Sequence, residues 1–313
     1  MKEMIEVNGV TVAYTSLRGL RVVQNKALDD VTFSVPEGSV CGLLGTNGAG
    51  KSTLMRTMGG IFRPDSGSVS IDGRDVWDNA EAKNDIFYVG DEISWYERFT
   101  VEELKAYGRN FRASFSDEAF DRMINALELP KNQKISRLSK GMRRQAATIL
   151  GVACRTKYLL LDESFDGLDP AMRRVVREML IDEMCDNGAS VVLSSHNVTE
   201  ISEACDRMLL LHAGKVVESG EIDEIRYKYR RVQLVGGEEN VTREMLAKAG
   251  LTVLDFAGTG SIAQAIVSGT EEEVKAGIAK LPVSLAETAP LSLEEVFIYV
   301  MRGKGYGKIN TGK

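Results

Sequence analysis

The chain has 313 residues, with 39 Lys+Arg against 45 Asp+Glu, two His and four Cys; 43% of it is apolar and 27% charged. That length provides for about two domains and a sizeable core. The net charge of −6 argues against a protein that grips nucleic acid by neutralising phosphates. No window approaches the roughly 20 apolar residues of a membrane-spanning helix, and the densest runs, such as residues 158–161, are strand-sized. The opening Met-Lys-Glu-Met-Ile-Glu alternates charged and apolar residues, unlike a signal peptide. Cys41, Cys154, Cys185 and Cys205 form neither a C-x-x-C pair nor a dense framework, the pattern of reduced cytosolic thiols.

In chain order, residues 5–7, 10–12 and 31–35 alternate apolar and polar side chains, as antiparallel strands with one wet face do. Residues 39–44 are a near-continuous apolar strand that runs into a glycine-rich turn. Residues 158–161 and 190–194 are two more such runs, which suits strands covered on both faces, hence a parallel sheet flanked by helices. Residues from about 93 to 153 predict an inserted helical subdomain. Phe120, Met123, Ile124 and Leu127 fall at i, i+3, i+4 and i+7, and Met142, Ala146, Ile149, Leu150 and Ala153 form a second stripe. Both stripes read as core. Beyond Arg231 the pattern becomes β-α-β-β-α-β: strands at 232–235, 251–257 and 261–267 with a short one after 280, and helices at 242–249 and 271–280. A last helix puts Leu293, Val296, Phe297, Val300 and Met301 on one face. The expected division is a first domain over 1–230, an α+β accessory domain over 231–302 and a frayed tail over 303–313.

Gly45-Thr46-Asn47-Gly48-Ala49-Gly50-Lys51-Ser52 matches G-x-x-x-x-G-K-[ST] between a predicted strand and a helical stretch, with Thr53 counted with it as a nucleotide-binding candidate. Glycines let the backbone wrap closely so that its N–H groups point at a phosphate, and the following helix adds its positive end. Lys51 supplies a point charge to the β- and γ-phosphates, and the Ser52 hydroxyl is a Mg²⁺ ligand. A metal-binding acid belongs at the end of another apolar strand, where Asp162 stands, followed directly by Glu163. Two acids leaving a buried strand are costly without a cation or a task. Asp162 is expected to hold Mg²⁺ through its water shell and Glu163 to polarise the attacking water. His196, at the end of the strand at 190–194, is the expected γ-phosphate contact.

These spacings resemble one family, the ATP-binding cassette (ABC) ATPases, over residues 1 to about 228. Leu138-Ser139-Lys140-Gly141-Met142-Arg-Arg-Gln145 looks like the family signature, and Gly167-Leu168-Asp169-Pro170 looks like its D-loop. The resemblance implies a P-loop α/β cassette: a parallel-core sheet, an antiparallel β subdomain and the inserted helical subdomain. It implies ATP and Mg²⁺ as cofactors and two cassettes, identical or not, paired head to tail. Ser139 and the Gly141 amide would then touch the γ-phosphate held by the opposite subunit, and Asp169 would bridge the two sites. A Ser N-cap opening a helix suits an anion on physical grounds too.

Some positions depart from the family pattern. Lys140 replaces the second signature glycine and Met142 the glutamine, a variant associated with exporters of drugs, polysaccharides and lipids. Asp91 stands at the metal-contacting Gln position of the Q-loop; a solvated loop is the alternative reading. Ser164 replaces a proline. Tyr14 is the candidate for stacking on adenine, with strand-edge packing as the alternative, and residues 15–25 look like an insertion that lengthens its distance to Gly45.

The resemblance implies a separate integral-membrane permease that docks near residues 91–100, where Trp95, Tyr96 and Phe99 serve either as interface anchors or as packing between subdomains. The chain is then expected in the cytoplasm, on the inner face of the membrane through that permease. The leading expectation is an exporter ATPase; a soluble cassette acting on a ribosome, nucleic acid or protein complex, and an ATP-sensing module, are the competing classes.

Overall fold

The computed structural model describes residues 4–18, 21–90, 98–237 and 240–304. They divide into two units, Met1–Ser219 and Gly220–Lys313. In chain order the first contains β1 (Met4–Arg18), β2 (Arg21–Pro36), β3 (Val40–Leu44), α1 (Lys51–Met58), β4 (Ser66–Ile71) and β5 (Arg74–Asp75). Then follow α2 (Ala80–Asn84), β6 (Ile86–Val89), α3 (Val101–Phe111), α4 (Asp117–Ala126) and α5 (Lys140–Ala153). It continues through β7 (Tyr158–Asp162), α6 (Pro170–Asn187), β8 (Ser190–Ser195), α7 (Val198–Ala204), β9 (Arg207–His212) and β10 (Lys215–Glu221).

The two apolar patterns of the sequence become two sheets. The alternating strands give an antiparallel sheet ordered β2-β1-β4-β5, and the apolar runs give a second sheet ordered β10-β9-β3-β8-β7-β6. In the second, β9, β3, β8, β7 and β6 are parallel neighbours. Every residue of β7 and β8 is buried, as strands covered on both faces require. Ile5, Val7, Val10 and Leu28 of the first sheet share one core with Leu43, Leu160 and Val192 of the second.

Within the expected insertion, residues 15–18 and 21–25 continue the β1–β2 ladder, with Thr15 opposite Gln24 and Arg18 opposite Arg21, so the added length runs along the strands and leaves Tyr14 opposite Asn25.

The stripe on α4 is core as expected, with Phe120 and Ile124 1% exposed. On α5 the stripe understates the burial. Arg144, Gln145 and Thr148 are buried as well, while Met142 is only half-buried. The reason is enclosure: α5 packs against α3, α4, α6, β6 and β7.

The second unit contains α8 (Ile222–Lys228), β11 (Tyr229–Gly236), α9 (Arg243–Lys248), β12 (Thr252–Thr259), β13 (Ile262–Ser268), α10 (Glu271–Ile278), β14 (Val283–Pro290) and α11 (Leu293–Gly303). Its antiparallel sheet is ordered β12-β13-β11-β14. Val232, Leu234, Ala263, Ala265 and Val267 share a core with Leu246 of α9 and Val274 of α10. Arg231, whose side chain points to the other face of the strand, pairs with Glu295 of α11. The division after Ser219 precedes the expected one at 230 because α8 packs on β11, β14 and α11. Residues 305–313 of the expected tail lie outside the described residues. No helix among the described residues is long and apolar enough to cross a membrane.

Cys41 on β3 and Cys154 just after α5 are buried free thiols. Burial pushes both up to about 12, so the reactive thiolate is scarce at neutral pH. At about pH 8, where an ordinary thiol is partly ionised, iodoacetamide should label neither in the native protein and both in guanidinium. Rapid native labelling of Cys41, followed by peptide mass spectrometry, would show instead that β3 opens.

Candidate active site

Parallel neighbours bring their carboxyl ends to one edge of a sheet, which is where such sheets bind ligands. Here β3, β8 and β7 lie side by side, with Leu44 opposite Ser195 and Asp162 opposite Ser194. The phosphate loop leaves β3, His196 leaves β8 and Glu163 leaves β7, so adjacency in the sheet gathers what the sequence separates. β6 ends at the same edge at Val89. Asp91, two residues further on, lies outside the described residues, as do Trp95 and Tyr96.

The phosphate loop closes tightly against the start of α1. Gly50 has φ 108°, and a Cβ there would stand 2.4 Å from the Ala27 carbonyl oxygen. Only glycine fits that left-handed, crowded position. Within the loop the Ala49 amide donates to Thr46, and the Ala49 carbonyl accepts from Gly214. No side chain caps the N-terminus of α1, which leaves its first N–H groups available to a ligand anion. The loop lines an open cleft of about 920 Å³ with Asn47, Gly48, Gly50, Lys51, Ser52 and Thr53, and Tyr14, Lys26, Arg144, Glu163, Asp166 and His196 are among its other walls.

Lys51 is 5% exposed, and a buried ammonium needs partners. Its Nζ donates to the Gly45 carbonyl at 2.8 Å and the Thr46 carbonyl at 3.4 Å, and lies 3.1 Å from Glu163 Oε1. His196 Nδ1 is 3.0 Å from Glu163 Oε2. The Glu163 carboxylate is therefore held at one oxygen by a cation and at the other by an imidazole. Its backbone is strained, with φ 50°, a conformation that costs an L-residue roughly 1–2 kcal/mol. Three contacts hold it there: the Glu163 N–H donates to Ser194 Oγ at 2.9 Å, and its carbonyl accepts from the Asp166 N–H at 3.0 Å and from Arg144 Nη1.

Asp162 is fully buried. Ser194 Oγ donates to its Oδ1 at 2.6 Å and the Tyr88 hydroxyl to its Oδ2 at 3.1 Å. Burial, with the Asp162 carboxylate beside it, raises the Tyr88 phenol well above its usual range, so Tyr88 stays a donor at any working pH. Ser52 and Asp162 offer hard oxygens only, a hydroxyl and a carboxylate, which suits Mg²⁺ held mostly by phosphates and water. No group of three or more His, Cys, Asp or Glu side chains among the described residues could hold a metal ion on its own.

Tyr14 is 43% exposed at the cleft wall. Its hydroxyl is 3.1 Å from Thr53 Oγ1, and its ring meets Phe62 edge-on at 6.3 Å. It is thus oriented by α1 as well as by its own strand. Ser139, Gly141 and Asp169 do not line this cleft. Ser139 and Asp169 are exposed N-caps, Ser139 Oγ accepting from the Met142 N–H at 3.2 Å and Asp169 Oδ1 from the Met172 N–H at 3.0 Å. Lys140 pairs with Asp166 at 3.0 Å, and that bond holds the Asp166 carboxyl below its ordinary range. Sequence reasoning missed Ser194, Tyr88, Arg144 and Asp166. The first two are hydroxyls inside strand patterns, and Arg144 reads as a surface cation until α5 is seen to be enclosed.

The family model described as ABC transporter matches residues 28–166. The ABC transporter ATP-binding protein YtrB of Bacillus subtilis is 28% identical over 280 residues, 90% of this chain and 94% of its own length. An ABC transporter ATP-binding protein of Methanocaldococcus jannaschii is 30% identical over 259 residues, 81% of this chain and 91% of its own. The sulfate/thiosulfate import protein CysA of Mycobacterium tuberculosis is 32% identical, over 64% of this chain and 58% of its own. A solved ATP-binding subunit of an ABC transporter superposes with a TM-score of 0.61 at 28% identity, over 71% of this chain and 92% of that one. Fold, phosphate loop and relatives agree: the chain belongs to the ABC ATPase family, as an ATP-binding and ATP-hydrolysing subunit of a transporter.

Proposed function

We propose that this subunit powers a separate membrane permease by closing a pair of cassettes on ATP and reopening them on hydrolysis, with Glu163 as the general base. The observation that carries the reading is the Glu163 carboxylate, held between Lys51 and His196 over the phosphate loop. A base needs this fixed position beside the phosphates more than it needs any other property.

In this reading the loop amides and the start of α1 take the β- and γ-phosphates, and Lys51 gives its charge to them. Glu163, released from that ammonium, accepts a proton from the water whose oxygen attacks the γ-phosphorus, and ADP leaves. His196 keeps the carboxylate oriented and reaches the γ-phosphate. Ser52 and Asp162 would hold Mg²⁺, which supplies charge neutralisation on the phosphate oxygens. Ser139 and Asp169, the exposed N-caps of α5 and α6, and the half-buried Gly141 beside Ser139 would serve a second cassette rather than their own cleft.

The permease side is supported by an aromatic ladder on the helical subdomain. Phe99 and Tyr107 lie 5.8 Å apart and Tyr107 stacks on Phe111 at 4.3 Å, while Phe111 is 69% exposed. Exposed aromatics of this kind suit an interface anchor, and docking there would hold the subunit at the inner face of the membrane. Export is supported by Lys140 and Met142 in the signature.

Glu163→Gln should lower ATP turnover by about a hundredfold or more while leaving ATP affinity intact. With ATP present it should hold the closed assembly, so that pull-down from detergent-solubilised native cells, read by mass spectrometry, recovers a polytopic membrane protein. Ribosomes or a soluble partner alone would overturn the transporter reading for this chain.

Tyr14→Ala should raise KM for ATP about three- to tenfold, the worth of one ring contact, with kcat unchanged. Tyr14→Phe should keep KM within roughly twofold. An unchanged KM in the alanine variant would reduce Tyr14 to strand-edge packing.

A further inference from the structure

Glu163 is the residue of the cleft that most needs to be placed and is least able to place itself. It follows the end of β7, its φ of 50° lies in the region that L-residues avoid, and its side chain shares its two oxygens with Lys51 and His196. Both of those partners have other calls on them once a triphosphate is bound. What remains is the Glu163 backbone. Its carbonyl accepts from the Asp166 N–H at 3.0 Å within the loop, and side chains from two other elements reach both of its polar groups. Ser194 of β8 accepts the N–H at 2.9 Å. Arg144 of α5 donates to the carbonyl through Nη1.

Arg144 is unusual for a helix cation. It is 8% exposed, it lines the nucleotide cleft, and its Nη2 lies 4.0 Å from Asp166 Oδ2 in the loop just after Glu163. Lys140, one turn earlier on the same helix, pairs with Asp166 at 3.0 Å. The helix that opens with Ser139 and Gly141 therefore grips the loop of the catalytic acid in its own subunit at two points.

We propose that Arg144 is a positioning residue: it holds the Glu163 peptide in its left-handed conformation and so makes the placement of the base depend on the position of α5. The inference rests on Glu163 being the base. Its consequence is that the signature helix acts twice, on the partner's nucleotide through its N-terminus and on its own subunit's chemistry through Arg144. A shift of α5 then moves the Glu163 carboxylate without any change in the phosphate loop. Misplacement of about 1 Å is enough to cost two orders of magnitude in rate.

The test compares Arg144→Gln, Arg144→Lys and Glu163→Gln, with kcat, KM and ATP affinity measured for each. Arg144→Gln should lower kcat roughly ten- to hundredfold with KM and ATP affinity within about twofold. Arg144→Lys, which retains one donor, should recover part of the rate. In the Glu163→Gln background Arg144→Gln should lower the residual rate no further, because residues that act as a unit are not additive.

An unchanged kcat in Arg144→Gln overturns the proposal. So does a raised KM with kcat intact, which would make Arg144 a nucleotide ligand, or an equal loss in both backgrounds. Should Arg144→Gln fail to fold, Ser194→Ala attacks the same peptide from its N–H, and the same pattern of kcat against KM decides the matter. Full turnover in Glu163→Gln alone would remove the base assignment itself, whereas a dead Glu163→Gln with a normal Arg144→Gln removes only the role of Arg144.

Discussion

A fully buried carboxylate at the end of a fully buried strand is the constraint on which the first unit depends. Asp162 has no exposed surface, and neighbouring residues of β7 have almost none. A buried charge of this kind is tolerable only when hydrogen-bonded. Its two oxygens take hydroxyls from the strands on either side, Tyr88 of β6 and Ser194 of β8. The strand order β8-β7-β6 is thus what makes the acid affordable. The same order sets the active site, because β3 lies next to β8 and brings the phosphate loop to the same edge. The loop cation Lys51, buried in turn, finds its counter-charge on Glu163, the residue after Asp162.

The parts of this arrangement visible in the sequence are those whose chemistry forces a local pattern. Gly50 must be glycine because of its φ and the Ala27 carbonyl behind it, and Lys51 and Ser52 follow at fixed steps. Asp162 and Glu163 stand out because acids do not otherwise terminate an apolar run. The parallel and antiparallel sheets were legible for a similar reason, since covering one face or two leaves different alternation.

What the sequence concealed are partners selected by three-dimensional adjacency. Tyr88 lies 74 residues from Asp162 and Ser194 lies 32 away, and each looks like an ordinary strand residue. Arg144 sits in a helix whose apolar stripe suggests one buried face, yet the helix is enclosed by five elements. The added length at residues 15–25 was legible as spacing to Gly45, but the pairing of 15–18 with 21–24 was not, since strand register depends on partners across the ladder. The division of the chain comes earlier than the change of pattern after Arg231 implied, because α8 packs on β11, β14 and α11.

The cleft gathers groups from several elements. Its walls include loop amides, the buried Lys51 ammonium, Glu163, His196 and Tyr14, and also Arg144 and Asp166, which sit on the helix and the loop either side of the Glu163 backbone. Under the proposed function a signal from a permease would have to reach Glu163 through elements that move these groups. Phe99, just before α3, and Tyr107 and the exposed Phe111 on α3 form a ladder of rings, and α3 packs on α5. The helix that carries the signature and Arg144 is therefore one step of packing away from the surface proposed for the permease. A push on α3 has a short, rigid route to Glu163: through α5 to the Arg144 guanidinium, and from there to the peptide that holds the acid in its strained conformation.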